Sequence, residues 1–171
     1  MKRPAGEGQA IAFLDFDGVL HHHAVYRKRN VGPTLRAPAG FMLFQHAGLL
    51  EELFAPFPDV RIVLSTSWCV YYGYSKTTAR LPPGLRSRCI GATYHSRIPR
   101  AEWFNTARGE QVSNDAIRRR PRTWFAIDDD VEGWPPATRS RLVVADPIRG
   151  ISPESVRAAI TTMLMYRCEV A

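Results

Sequence analysis

Long apolar runs are missing from this chain of 171 residues. No stretch approaches the ~20 consecutive apolar residues that a membrane-spanning helix needs, which points away from an integral membrane protein. The first residues, Met1 to Gln9, carry Lys2 and Arg3 but no apolar stretch of signal-peptide length, so a cytoplasmic location is expected. Cysteine is scarce as well, with only Cys69, Cys89 and Cys168. Three cysteines cannot all pair with one another, and their spacing fits no thiolate metal site. Free thiols in a reducing compartment are the simplest expectation. Internal repeats and low-complexity segments are also missing. One continuous domain over residues 10–171 is therefore the default, preceded by a polar, flexible tail at residues 1–9.

What is present suits a globular protein. The sequence is 45% hydrophobic and 23% charged, enough to bury a substantial core. Basic residues outnumber acidic ones by 23 to 16, for a formal net charge of +7. Arginine dominates them, as in Arg118, Arg119, Arg120 and Arg122. Such a surface favours polyanionic partners such as nucleic acid. An arginine-rich genome composition would give the same figure, so charge alone does not decide the partner.

Four short apolar runs stop abruptly at polar residues: Ala10–Leu14 at Asp15, Arg61–Leu64 at Ser65, Trp124–Ile127 at Asp128, and Leu142–Ala145 at Asp146. Runs that are apolar at every position predict parallel strands buried on both faces. Cys89–Thr93 is a fifth candidate strand. Helical patterns lie between them. They cover Phe41–Phe54, Glu110–Arg120, and a C-terminal helix with Ser152 as N-cap and a stripe of Val156, Ile160, Met163 and Leu164. The alternation predicts an α/β fold, a three-layer Rossmann-like sandwich around a mainly parallel sheet.

In such sheets ligands bind at the carboxyl ends of the strands. The first strand ends in Asp15-Phe16-Asp17-Gly18 and another in Asp128-Asp129-Asp130. Carboxylates this close repel one another unless a cation sits between them, and a hard oxygen-liganded ion, above all Mg²⁺, is the natural partner. Ser65-Thr66-Ser67 supplies hydroxyl and N–H groups suited to phosphate oxygens, and Arg108 would add a positive charge. His21-His22-His23 cannot all face one ion from an extended chain and is expected to form a flap loop beside the site. Tyr71, Tyr72 and Tyr74 either pack a loop or stack on a base. Arg97, Arg100 and Arg118–Arg120 are candidates to line the approach.

With these motifs in this order, the chain resembles the haloacid dehalogenase (HAD) superfamily of phosphatases. The family's aspartate pair is written here Asp15-Phe-Asp17-Gly18-Val19-Leu20. Its Ser/Thr motif falls on Ser65, with Thr66 and Ser67 as competing choices. Its basic residue falls on Arg108, an Arg where Lys is more usual, and its acidic pair on Asp128-Asp129, with Asp130 as an alternative. More narrowly, Ser65–Trp68, Ala107–Glu110, the acidic triplet and Leu142–Pro147 resemble the compact HAD domains of RNA-repair proteins.

The resemblance implies an HAD-like fold without a large cap, since the roughly forty residues from Gly18 to Val60 leave no room for one. It implies Asp15 as nucleophile, Asp17 as general acid and base, and Ser65 and Arg108 on the phosphoryl oxygens. Mg²⁺ would be held by Asp15, the main-chain carbonyl of Asp17, and Asp128 or Asp129. The implied substrate is a phosphorylated one, with nucleic-acid or nucleotide phosphates as the leading class. Two other readings stay open: a non-catalytic Mg²⁺-binding regulatory or binding module, and a small-metabolite phosphatase.

Overall fold

The computed structural model describes residues 4–28 and 31–168. In chain order its elements are β1 (Ala10–Leu14), β2 (Val25–Lys28), β3 (Gly32–Leu35), α1 (Ala47–Phe54), β4 (Arg61–Leu64), α2 (Trp68–Tyr72), α3 (Tyr74–Thr78), α4 (Pro83–Arg86), β5 (Cys89–Ala92), α5 (Arg100–Asn105), α6 (Arg108–Arg119), β6 (Thr123–Asp128), α7 (Pro136–Arg139), β7 (Leu142–Val144) and α8 (Glu154–Cys168). Five strands form one sheet in the order β5-β4-β1-β6-β7, every pairing parallel.

The runs that are apolar at every position explain why the sheet is buried on both faces. In the central strand β1, Ala10, Ala12 and Leu14 share a core with Leu50 and Phe54 of α1 and with Ile160 and Leu164 of α8. The alternate residues Ile11 and Phe13 pack on the opposite face with Val112 and Ala116 of α6 and with Trp134. Helices on both sides of a parallel sheet make the three-layer α/β sandwich expected from the sequence. Each fully buried Leu, Ile or Phe adds about 1.5–3 kcal/mol of transfer free energy.

Register then sets the site. Leu14 pairs with Leu64 on one side and with Ile127 on the other, and Leu64 pairs with Ala92. One step further along, Thr93, Ser65, Asp15 and Asp128 stand side by side at the strand ends. Their main chains continue the ladder: Thr93 N–H donates to Leu64 O (2.9 Å), Ser65 N–H to Leu14 O (2.8 Å) and Asp15 N–H to Ile127 O (3.2 Å).

Several expectations need correction. The helix foreseen from Phe41 begins only at Ala47, because Phe44 sits in the left-handed region (φ 60°) and breaks it. The Phe44 ring packs edge-on against Phe16, His21 and Trp68, which accounts for the break by anchoring the turn to the core. Two strands not foreseen from the sequence, β2 and β3, pair antiparallel, with Val25 opposite Leu35. Ser152 does not cap α8, since its hydroxyl donates to Arg149 O and the helix starts at Glu154. Residues 4–9 do not hang free. Gly8 N–H donates to Arg120 O, Arg119 donates to Ala5 O, and Glu7 pairs with Arg120. Cys69 and Cys89 are free thiols that burial pushes up to about 12, while the side chain of Cys168 lies outside the described residues. Among the described residues no helix is long and apolar enough to cross a membrane.

The N-terminus of α6 docks by backbone contact. Gly109 N–H donates to Glu132 O (3.0 Å), and a Cβ at Gly109 would run into the Gly133 carbonyl and the Trp134 amide nitrogen. Gly→Ala inside a helix ordinarily stabilises by roughly 0.5–1 kcal/mol. Overpacking against a backbone that has little room to retreat costs about 1–3 kcal/mol, so here the clash wins. Gly109→Ala is expected to lower the free energy of unfolding in urea, and equal or greater stability would show that the α6 terminus can back away.

Candidate active site

Asp15, the first residue past β1, is almost fully buried. The Phe16 N–H donates to its Oδ1 (2.7 Å), and the Thr66 hydroxyl also bonds its carboxylate. Asp128, the last residue of β6, is 1% exposed and accepts a hydrogen bond at Oδ1 from Asp130 N–H (3.0 Å). Asp129 completes a group in which one carboxylate oxygen from each of Asp15, Asp128 and Asp129 lies within 4.8 Å of the others. Gly18, at φ +72°, turns the chain away from the strand, and a Cβ there would collide with the Asp129 carboxylate. Glycine is thus required at this position both for backbone conformation and for space.

One cation faces this cluster. Arg108, the first residue of α6, places NH2 3.5 Å from Asp15 Oδ2 and Nε 3.2 Å from Asp128 Oδ2. Gln111 Oε1 accepts from its NH1 (3.2 Å), and the Trp103 ring lies under the guanidinium. Burial opposes the Arg108 charge, but the neighbouring carboxylates outweigh it and raise its pKa further. A single guanidinium does not neutralise three carboxylates. Burial, and then mutual repulsion with Asp15, lifts Asp128 well above the ordinary carboxylate value and Asp129 up to about 7. Asp15 is likewise raised, by burial more than Arg108 lowers it.

Asp17 stands outside the three-carboxylate group and has a different environment. Its Oδ1 accepts from Trp68 Nε1 (2.7 Å) and from His21 Nε2 (3.0 Å), and its Oδ2 accepts from Arg27 NH2 (3.1 Å). Burial pushes its pKa up, but the hydrogen bonds from His21 and Trp68 and the Arg27 charge together hold it below the usual carboxylate range. His21 Nδ1 accepts the Phe44 N–H (3.1 Å), so the ring hydrogen is on Nε2, aimed at Asp17. The expected flap loop of histidines is therefore corrected in part. His21 is fully buried, His22 accepts from Ala24 N–H and is nearly buried, and only His23 is exposed.

The three hydroxyls after β4 separate by environment. Thr66 bonds Asp15, and Ser67 Oγ accepts from Arg27 NH2 (3.0 Å). Ser65 is 1% exposed, and its Oγ has no hydrogen-bond partner among the described residues. Of the candidate arginines, Arg118–Arg120 do not line the approach. Arg118 and Arg119 bind Asp115 and Arg120 binds Glu7, at the far end of α6 from Arg108, about 16 Å away at ~1.5 Å per residue. Arg97 borders a different groove with Tyr74 and Tyr94. The sequence reasoning missed Arg27 and the fixing role of Trp68. The signal for Arg27 was the run Val25-Tyr-Arg-Lys ahead of Asn30 and Gly32, a short half-exposed hairpin pattern.

A family model described as the HAD domain in Swiss Army Knife RNA repair proteins matches residues 11–156. A crystal structure from Mesorhizobium loti, described as HAD-like, aligns with 96% of this chain and 90% of its own at 15% identity and a TM-score of 0.46. No curated protein matches the sequence.

The raised carboxylates give a pH test of cation binding. Without metal, between the ordinary carboxylate value of 3.8 and about 7 the folded protein keeps on Asp129 a proton that the unfolded chain has already released. The stability this contributes is complete at low pH and lost as pH rises through 7. A divalent ion replaces the proton, so its stabilisation grows over the same range. The depressed His22, His46 and His95 act in the opposite sense with pH, so the shift caused by metal is the quantity to read. MgCl₂ is expected to raise Tm more at pH 8 than at pH 6, with each kcal/mol appearing as about 2–4 °C. Asp129→Asn should flatten that difference; an equal shift at both pH values would remove the cluster as the cation site.

Proposed function

This chain belongs to the family of HAD domains found in Swiss Army Knife RNA repair proteins, and on that footing we propose that it is a Mg²⁺-dependent phosphatase working through an aspartyl-phosphate on Asp15. The observation that carries the proposal is the crowding of Asp15, Asp128 and Asp129 around Arg108 at the strand ends. All the donors there are oxygens and the negative charge exceeds the positive, which fits a hard divalent ion. Asp15, Asp128 and Asp129 would hold Mg²⁺ together with the Asp17 main-chain carbonyl. Bound there, the ion would offset negative charge on the phosphoryl oxygens.

The chain's own residues then have distinct tasks. Asp15 attacks phosphorus, forming a P–O bond to its carboxylate as the bond to the leaving oxygen breaks. Asp17 supplies a proton to that oxygen, then removes one from the water that attacks the aspartyl-phosphate, releasing inorganic phosphate and restoring Asp15. The three donors on Asp17 keep it ionised in the free protein. Entry of a negatively charged phosphoryl group beside it favours the protonated form needed first. Arg108 and the unpartnered Ser65 hydroxyl are the donors for the phosphoryl oxygens. Residues 10–171 act as one unit in this reading.

The substrate class we favour is a phosphorylated nucleic-acid end. The family's place in RNA repair supports it, as do the +7 charge and the small size of the covering hairpin, two strands of four residues.

Activity on an aryl phosphate with Mg²⁺ tests the chemistry. Asp15→Asn should abolish it, and Asp17→Asn should reduce it by roughly 10²–10⁴. Asp128→Ala or Asp129→Ala should weaken Mg²⁺ binding in calorimetric titration more than Asp130→Ala, whose Oδ1 is occupied by the Glu132 N–H. Wild-type turnover in Asp15→Asn would end the covalent mechanism. Mg²⁺ binding without any turnover would return the chain to a non-catalytic module.

A further inference from the structure

We infer that Tyr71 and Phe104 form a stacking subsite for the terminal nucleobase of a single-stranded, phosphate-ended nucleic acid. This inference rests on the phosphatase reading for the position of the phosphate. Both rings are 45% exposed and touch each other, so they make a joined aromatic surface and not two scattered side chains. They come from different helices, α2 and α5, and meet with centroids 5.7 Å apart and planes 49° apart. Of the three tyrosines in this region, Tyr72 packs on Trp68 (5.4 Å) and Tyr74 borders a separate groove. Tyr71 is instead tied to the site through Arg27, whose guanidinium lies over its ring and bonds Asp17.

The charges around the pair select the ligand. The Arg27 guanidinium lies 4.5 Å from the Tyr71 centroid and that of Arg100 lies 5.3 Å from it. Two cations gathered on one ring repel each other and are relieved by an anionic chain passing between them. Arg27 also reaches the site itself, with NH2 on Asp17 Oδ2 and on Ser67 Oγ. Its Nε is buried and has no hydrogen-bond partner among the described residues. The platform and the proposed acid–base carboxylate are thus bridged by a single guanidinium.

A cleft of about 310 Å³ runs from Phe104 to Arg108. Its lining includes Ser67, Phe104, Arg108 and Gln111, so Phe104 shares a wall with the arginine that contacts Asp15. Stacking reads the π-face that all bases share, so the subsite would require a base without choosing its sequence. It would also favour an unpaired end, because a terminal base held by its partner strand and stacked on the next pair is not free to turn onto the platform.

The test is binding in EDTA, where turnover by a Mg²⁺-dependent enzyme does not interfere. Fluorescence anisotropy would compare a short single-stranded 3′-phosphorylated RNA with the same strand carrying an abasic terminal sugar phosphate. The full chain should bind the base-containing end roughly 5- to 100-fold more tightly. Tyr71→Ala and Phe104→Ala should bring that ratio close to one, while Tyr71→Phe, which keeps the ring, should preserve it. A wild-type ratio near one would overturn the subsite, as would a ratio unchanged in both alanine variants. Equal binding of a blunt duplex with the same 3′-phosphate would overturn the single-strand assignment. Failure of the phosphatase reading would appear elsewhere, as no phosphate release from either strand when Mg²⁺ is restored.

Discussion

Unbalanced buried charge at the strand ends is the constraint from which the rest of the site follows. Parallel register leaves no freedom to spread it out: if Leu14 pairs with Ile127, then Asp15 and Asp128 are neighbours. Asp129 is brought in beside them, and Gly18 has no side chain to keep it away. Arg108 reaches two of the three carboxylates, yet burial and mutual repulsion still push all three above the ordinary carboxylate value. A cluster of this kind costs stability as long as it lacks a further positive charge. Its persistence in an otherwise well-packed α/β core is an argument for function, because leucines at the same strand ends would pack at no electrostatic cost.

Asp17 solves the opposite problem. It lies two residues from Asp15, yet three donors from three parts of the chain converge on it: His21 from the turn, Trp68 from the start of α2, and Arg27 from the hairpin. Each donor is itself fixed. His21 is locked by the Phe44 amide, Trp68 is fully buried, and Arg27 lies over Tyr71. The left-handed Phe44 that ends the expected helix early is therefore part of the support for this carboxylate. Two aspartates so near in sequence acquire different proton affinities because one faces carboxylates and the other faces donors.

The parts legible in the sequence were those set by local composition. Runs such as Ile-Ala-Phe-Leu at 11–14 are apolar at every position, and that pattern states both the strand and its burial on two faces. Polar residues at the end of each run marked the site, and Asp15, Asp128 and Asp129 do meet there. What stayed hidden depends on long-range placement. Arg27 is an ordinary residue of a half-exposed four-residue strand until the hairpin folds over Asp17. The histidine run gave no sign that His21 would be buried and His23 exposed, because adjacent residues on a turn diverge. Arg118–Arg120 looked like an anion-binding run, but Asp115 and Glu7 engage them at the wrong end of the helix.

The architecture separates what must be rigid from what can vary. The charged row sits on strand ends held by neighbours on both sides, so its spacing follows from the sheet and tolerates little change. Arg27, Tyr71, Arg100 and Phe104 come instead from a short hairpin and two helices of five and six residues, joined to the sheet through loops. Loops of this kind can change in sequence without disturbing the core. A catalytic row of this type can thus keep its chemistry while the covering segments set what approaches it. In this chain the surface those segments present is aromatic and cationic. Arg27 belongs to both layers at once, with one nitrogen on Asp17 and its plane against Tyr71. It is the side chain through which occupancy of the outer surface would be felt at Asp17, since any ligand that draws the guanidinium toward itself weakens a contact that holds this carboxylate below its usual range.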